Sequence, residues 1–352
     1  MNESQQLHPH DRQVASWLLF CAAVIFGMIL LGGVTRLTNS GLSMVEWKPL
    51  VGVIPPMSEE AWQETFSKYK EFPEYQKVNR GMSLDAFKSI FMFEYLHRVL
   101  GRLIGVIFFF PMVYFWMKKK IRPGLAPKLV LLFFLGGLQG LLGWYMVKSG
   151  LVNNPRVSQY RLTSHLGVAV LIYAYMLWLS FELLFVDRLR EGEPVRAHPL
   201  ARWSLGLVGL VYLMILSGGL VAGTRAGLAY PTWPLMGDSF IPPGLYSMTP
   251  AWLSIFEDVT TIQFNHRMFA YLLTVLIAVF AYRVLHRPMS QRGRLAASLL
   301  LVALVVQVTL GISTLLLQVP VAVAAAHQGG AVLLLSAVLY CSHVIRRQAI
   351  RG

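Results

Sequence analysis

Eight runs of apolar residues divide the chain, at about 14–34, 94–117, 128–148, 161–186, 201–223, 262–285, 295–317 and 322–345. Each is close to the ~20 residues a helix needs to cross a bilayer core. The pattern predicts an all-α polytopic membrane protein with eight transmembrane helices. The first run is not expected to be a cleaved signal. It is long, and Gly32-Gly33-Val34-Thr35-Arg36 stands where a small-residue cleavage site would lie.

Composition strengthens that picture. Hydrophobic residues make up 55% and charged residues 14%, against roughly 25% charged in soluble domains. The 31 Lys and Arg outnumber 17 Asp and Glu, for a net charge of +14. This excess sits in short clusters between apolar runs and not on one polar face, which argues against a nucleic-acid partner. Lys118, Lys119, Lys120, Arg122 and Lys128 follow the second run; Arg188, Arg190, Arg196 and Arg202 the fourth; Arg283, Arg287, Arg292 and Arg294 the sixth. Positive loops face the cytoplasm. Both termini (1–13 and 346–352) and the 187–200 linker are therefore expected there, and the 36–93 loop outside. The mixed charges of that loop predict surface helices. Cys21 and Cys341 lie in apolar runs with no metal-binding or disulfide spacing.

The chain also repeats itself. Leu31-Gly32-Gly33, Gly41-Leu42 and Trp47 recur 186 residues later as Ser217-Gly218-Gly219, Gly227-Leu228 and Trp233. Phe93-Glu94-Tyr95-Leu96-His97-Arg98 recurs as Ile262-Gln263-Phe264-Asn265-His266-Arg267, Gln139 and Gly143 match Gln307 and Gly311, and His165 matches His327. Four helices per half return the chain to the same side. The repeats are then parallel, related by an axis along the membrane normal. Two four-helix bundles are expected, 14–186 and 201–345.

The repeat supplies four intramembrane histidines, His97, His165, His266 and His327, each near the outer end of an even-numbered helix. Such residues are functional candidates; a lone one is more often a hydrogen-bonded core residue. Four residues on come Gly101, Ala169, Ala270 and Ala331, small enough to leave room for a flat group. Haem fits, since imidazole is a common axial ligand and bundle cores house such cofactors. Pairing within halves gives two bis-histidine sites, His97 with His165 and His266 with His327. Arg98 and Arg267 are candidates for binding haem propionates, or for anchoring at the interface.

One difference separates the halves. Glu94 precedes His97 by three residues, on the same helical face. Its counterpart is Gln263. Glu can move protons and Gln cannot, which makes Glu94 a candidate for acid–base catalysis. The competing reading is an i, i+4 ion pair with Arg98.

Gly32-Gly33-Val34-Thr35-Arg36-Leu37-Thr38, Ser40-Gly41-Leu42-Ser43 and Glu46-Trp47-Lys48-Pro49 together closely resemble the heme A synthase family. So do Glu94-Tyr95-Leu96-His97-Arg98, Tyr160-Arg161-Leu162 with His165-Leu166, Gln263-Phe264 with His266-Arg267, and Ala326-His327-Gln328. The resemblance spans about residues 14–345. No external cysteine pair is present, as in the branch shared by mitochondria and many proteobacteria. It implies an oxidoreductase of the bacterial inner membrane that converts the C8 methyl of haem O to the formyl group of haem A. The implied route is two hydroxylations and loss of water from a geminal diol. His97 and His165 would face haem O, the substrate. His266 and His327 would ligate a permanent haem b, and Glu94 would be the essential glutamate. Haem O synthase and an electron donor are implied partners, with a homo-oligomer open. Arg225-Ala226-Gly227, opposite Asn39-Ser40-Gly41, departs from the first half without an evident reason. The alternative reading is a bis-haem cytochrome b, which would want its haems near opposite faces. A transporter would want an acidic path through the membrane centre.

Overall fold

The computed structural model describes residues 9–46, 54–151, 157–185 and 199–347. Trp47, Lys48 and Pro49, the linker arginines Arg188, Arg190 and Arg196, and most of both terminal tails lie outside them.

The described chain is helical, with no strand. Its helices are α1 (Asp11–Leu37), α2 (Glu59–Lys70), α3 (Pro73–Lys77), α4 (Leu84–Met117), α5 (Ala126–Gly150), α6 (Gln159–Leu184), α7 (Leu200–Thr224), α8 (Ser254–Glu257), α9 (Val259–Leu285), α10 (Gln291–Leu316) and α11 (Val321–Arg346). Eight of these are long and apolar enough to span a membrane, and they match the eight apolar runs. The chain is a multi-pass membrane protein. On α5 and α10, Phe134, Leu141, Val302 and Val305 point outward, as lipid-facing surfaces do.

One boundary moved by ten residues. The apolar run begins at 94, whereas α4 begins at Leu84. Asp85 and Lys88 hide this first part from a hydropathy reading, but the Ser83 side chain caps it by accepting from Ala86 N. At 34 residues and 1.5 Å per residue, α4 is about 51 Å long, against a ~30 Å hydrocarbon core. Its first turns therefore stand clear of the membrane. There they share an aromatic core with α2 and α3: Phe66, Tyr69, Phe87 and Phe91 are buried, and Met44 and Val45 pack against them. The long loop thus forms surface helices.

Helix contacts sort into two rings. In the first half α1 touches α4 and α6, and α5 touches the same two; in the second α7 touches α9 and α11, and α10 touches those two. Between the halves α6 meets α7 and α11, and α1 meets α11. Two of these contacts are reciprocal. A Cβ at Gly167 would lie 2.8 Å from Leu216 Cδ2 and 3.1 Å from the Tyr212 hydroxyl; one at Gly329 would lie 2.7 Å from Leu30 Cδ2 and 3.5 Å from Phe26 Cζ. Positions 167 and 329 are repeat equivalents, as are 216 and 30, and 212 and 26. Equivalent positions thus exchange partners where the two halves meet.

Equivalents also touch each other. Arg36 Nη2 donates to Ala222 O at 3.0 Å, and Arg225 Nη2 to Asn39 Oδ1 at 2.6 Å. Both pairs are 186 residues apart. Arg225, a departure from the repeat in sequence, closes α7 in the left-handed region (φ 59°) and ties the two halves at this junction.

Candidate functional site

Each of the four histidines rests on a glycine of another helix of its own half. A Cβ at Gly32 would lie 3.0 Å from His97 Cε1, at Gly143 2.9 Å from His165 Cε1, and at Gly311 2.9 Å from His327 Cε1. At Gly218 the distance to His266 Cε1 is 3.5 Å. Gly32 and Gly218 are equivalents, as are Gly143 and Gly311. A missing side chain leaves room for the Cε1 edge of each imidazole against the neighbouring helix. Within each half the two rings lie within electrostatic range of one another, His97 with His165 and His266 with His327.

The small residues one turn beyond the histidines do not make open slots. Gly101 faces Met28, whose Cε would be 3.3 Å from a Cβ there. Ala169 and Ala331 pack against the main apolar core. It is the glycine across the helix interface that accommodates each ring, a relation the repeat alignment displayed but one-helix spacing did not.

Nδ1 distinguishes the halves. Ser217 Oγ stands 3.0 Å from His266 Nδ1, and Gln307 Nε2 stands 3.1 Å from His327 Nδ1. His97 Nδ1 and His165 Nδ1 are buried without a hydrogen-bond partner. Leu31 occupies the position equivalent to Ser217. Gln139, equivalent to Gln307, turns its amide to the His165 backbone carbonyl instead, at 2.9 Å.

Glu94 is buried, 2% exposed. Its Oε2 accepts from Ser43 Oγ and from Met44 N, both at 2.8 Å; its Oε1 accepts from Arg98 Nε at 3.1 Å and Nη2 at 2.5 Å. The ion pair weighed against a chemical role is therefore present. In the second half Gln263 Nε2 donates to Tyr230 O at 3.2 Å. Positions 44 and 230 are equivalents. The acid and the amide hold the same point of the loop above each site, one by its N–H and the other by its carbonyl. The arginines do likewise: Arg98 Nη2 donates to Met44 O at 2.9 Å, Arg267 Nη2 to Tyr230 O at 2.7 Å, and Arg267 Nη1 to Leu235 O at 3.1 Å. Arg98 and Arg267 are thus loop clamps in this structure. Arg267 Nε is buried without a hydrogen-bond partner.

Motif residues missed as functional also find roles. Gln328, beside His327, donates to Ile29 O at 2.7 Å and lies against Gly33, joining α11 to α1. Between α6, α7 and α9 a cavity of about 360 Å³ is lined by Ser164, Ser217 and Asn265, immediate neighbours of His165 and His266.

Among the described residues no three or more His, Cys, Asp or Glu gather to cage a metal ion. What gathers is two pairs of imidazoles. A haem iron needs no more than two protein ligands, and each half offers two imidazoles, from two helices of one bundle. The residues fit haem.

Residues 15–339 match the family described as cytochrome oxidase assembly protein. The chain is 54% identical over 339 residues to the heme A synthase of Nitrosospira multiformis, covering 96% of this chain and 95% of that one. It is 52% identical over 327 residues to that of Nitrosomonas eutropha, covering 93% and 92%. To the human heme A synthase COX15 it is 43% identical over 343 residues, covering 96% and 83%. Spanning bacterial and mitochondrial relatives over nearly its whole length, the chain belongs to the heme A synthase family.

Proposed function

We propose that this chain oxidises the C8 methyl of haem O to the formyl group of haem A by two successive hydroxylations, the resulting geminal diol losing water. The observation that carries this reading is the pair of histidine sites that are alike in backbone and unlike in polar surroundings. One, with a buried acid above it, suits a substrate that changes; the other, with each ring hydrogen-bonded, suits a resident group.

In this reading His97 and His165 hold the substrate haem O. His266 and His327 hold haem b, which when bound supplies a one-electron relay. Ser43, Met44 and Arg98 fix the Glu94 carboxylate in a single orientation, one helical turn from His97. A carboxylate so placed stabilises positive charge developing on the methyl carbon or takes up a proton from it. Two four-helix bundles, 14–186 and 201–345, lie parallel about an axis along the membrane normal. The basic loops after α4, α6 and α9 then face the cytoplasm, and the α2–α3 loop covers the first site from outside the bacterial inner membrane. Haem O synthase is the supplier of substrate; methyl to formyl is a four-electron oxidation, so each hydroxylation requires an oxidant of the dioxygen class together with an electron donor that reduces its second oxygen atom to water.

Expression beside a haem O synthase, followed by chromatography of the extracted haems, tests this: haem A appears with the intact chain and not without it. Haem b alone in the extract would leave a cytochrome b and remove the synthase. A cysteine at Ser247 is labelled from outside and one at Ser290 only from inside; the reverse would overturn the orientation.

A further inference from the structure

We propose that Ser217 and Gln307 are positioning residues that brace the second-half histidines for permanent haem retention, and that Leu31 and the averted Gln139 leave the first pair unbraced so that its haem can leave. This deepens the assignment of the two halves and rests on it.

A histidine can ligate iron through Nε2 only if its proton sits on Nδ1, so Nδ1–H needs an acceptor. Metal-bound histidines almost always have one, and its loss typically weakens metal binding by about 10–100-fold. Burying that N–H unpaired is unfavourable. In the second half both rings have a side-chain neighbour at Nδ1 from another helix: the Ser217 hydroxyl of α7 at 3.0 Å, which can accept, and Gln307 Nε2 of α10 at 3.1 Å. An amide turned by 180° presents Oε1 in place of Nε2. That setting accepts from Nδ1–H and leaves Nε2 of the imidazole for iron.

The first half has the same backbone and the same glycine platforms, yet neither brace. Leu31 has no hydroxyl. Gln139 is spent on the His165 carbonyl, and neither Nδ1 atom has a side-chain partner. Since the frames are equivalent, the difference lies in these side chains and not in the fold. It matches the two tasks: a relay must stay, whereas a product that is itself a haem must be released in every catalytic cycle.

The test uses the full-length chain in detergent. Ser217→Ala and Gln307→Leu should each speed loss of haem b to apomyoglobin by roughly 10-fold or more. Each should also raise its reduction potential, because an imidazole without an Nδ1 acceptor donates less strongly to ferric iron. Ser217→Thr, which restores the hydroxyl, should return both to the starting values. Conversely, Leu31→Ser should slow the release of haem from the His97 site. Unchanged potential and off-rate in Ser217→Ala and Gln307→Leu would discard the bracing role. Retention of haem b in His266→Ala would instead discard the assignment of the halves.

Discussion

The two halves of this protein share a backbone plan and differ in a handful of side chains. Glycine platforms, paired histidines and arginine clamps to positions 44 and 230 recur in both. Four substitutions between the repeats carry most of the divergence at the sites: Glu94 for Gln263, Leu31 for Ser217, Met44 for Tyr230 and Ser43 for Ala229. Duplication supplied two equivalent sockets. What distinguishes the two halves at these positions is a matter of ionisable and hydrogen-bonding side chains on a common frame.

Removing a ligand breaks the comparison most completely. On the proposed assignment His266→Ala or His327→Ala takes away one of two axial ligands, and the low-spin haem b spectrum of the purified protein should disappear. His97→Ala should abolish haem A production and leave haem b bound. If His97→Ala strips haem b and His266→Ala does not, the roles of the halves are exchanged.

Glu94 is the next largest. Glu94→Gln makes the first half match the second in name, but the surroundings are not those of Gln263. Four donors converge on Glu94, and an amide has one acceptor oxygen. Its NH₂ must face either Arg98 or the Ser43–Met44 pair, and both are donors. Haem A output should fall by about 10²–10⁴-fold if the carboxyl acts in the reaction. A double change, Glu94→Gln with Arg98→Gln, separates chemistry from loop clamping: it relieves the donor clash and still lacks the acid. Recovery of haem A in the double variant would show that Glu94 only holds the loop.

The eight helices, their approximate ends and the four histidines were legible because they rest on hydropathy and repetition, both of which are local in sequence. The start of α4 was not, because its first ten residues are polar on one side and packed on α2 and α3 on the other. The ring-bearing glycines stood in the aligned repeats, but only three-dimensional contact showed that Gly143 belongs to His165. Hydrogen bonding at Nδ1 was illegible for a further reason. Gln139 and Gln307 are identical residues at equivalent positions, and their amides point to different atoms.

Adding a methyl to a platform sharpens the comparison at smaller scale. Gly143→Ala and Gly311→Ala would place Cβ 2.9 Å from a ring carbon, closer than carbon atoms pack, so the imidazole must tilt. Gly218→Ala would place it at 3.5 Å, an ordinary contact. Gly311→Ala should therefore weaken haem b retention several-fold, Gly143→Ala should lower haem A yield, and Gly218→Ala should do neither. Equal effects at 218 and 311 would show that the glycines matter for helix packing and not for ring placement.

The smallest expected effect concerns the loop that covers only the first site. Its α2–α3 segment buries Glu74, 5% exposed, which accepts from the Tyr69 hydroxyl at 3.1 Å. The segment 226–253 of the second half buries no acid. Burial lifts the Glu74 carboxyl from 4.5 to about 7, with a further upward push from the charge of Glu94. A carboxyl raised in the folded state favours folding while protonated. Its contribution is therefore complete below about pH 4.5 and is lost as pH rises through about 7, an effect of order 3 kcal/mol on the segment at most. Hydrogen exchange of residues 66–91, corrected for intrinsic rates, should show protection that weakens on going from mildly acid to mildly alkaline buffer. In Glu74→Gln, which keeps an acceptor for Tyr69 and cannot ionise, that protection should not vary with pH. Because Ser43 and Met44 are held between this segment and Glu94, haem A output of the wild-type chain should decline over the same range, while haem b occupancy in the second half stays level. An identical pH profile for the wild type and Glu74→Gln would detach the loop's acid from the first site and leave Glu94 as the carboxyl that sets the halves apart.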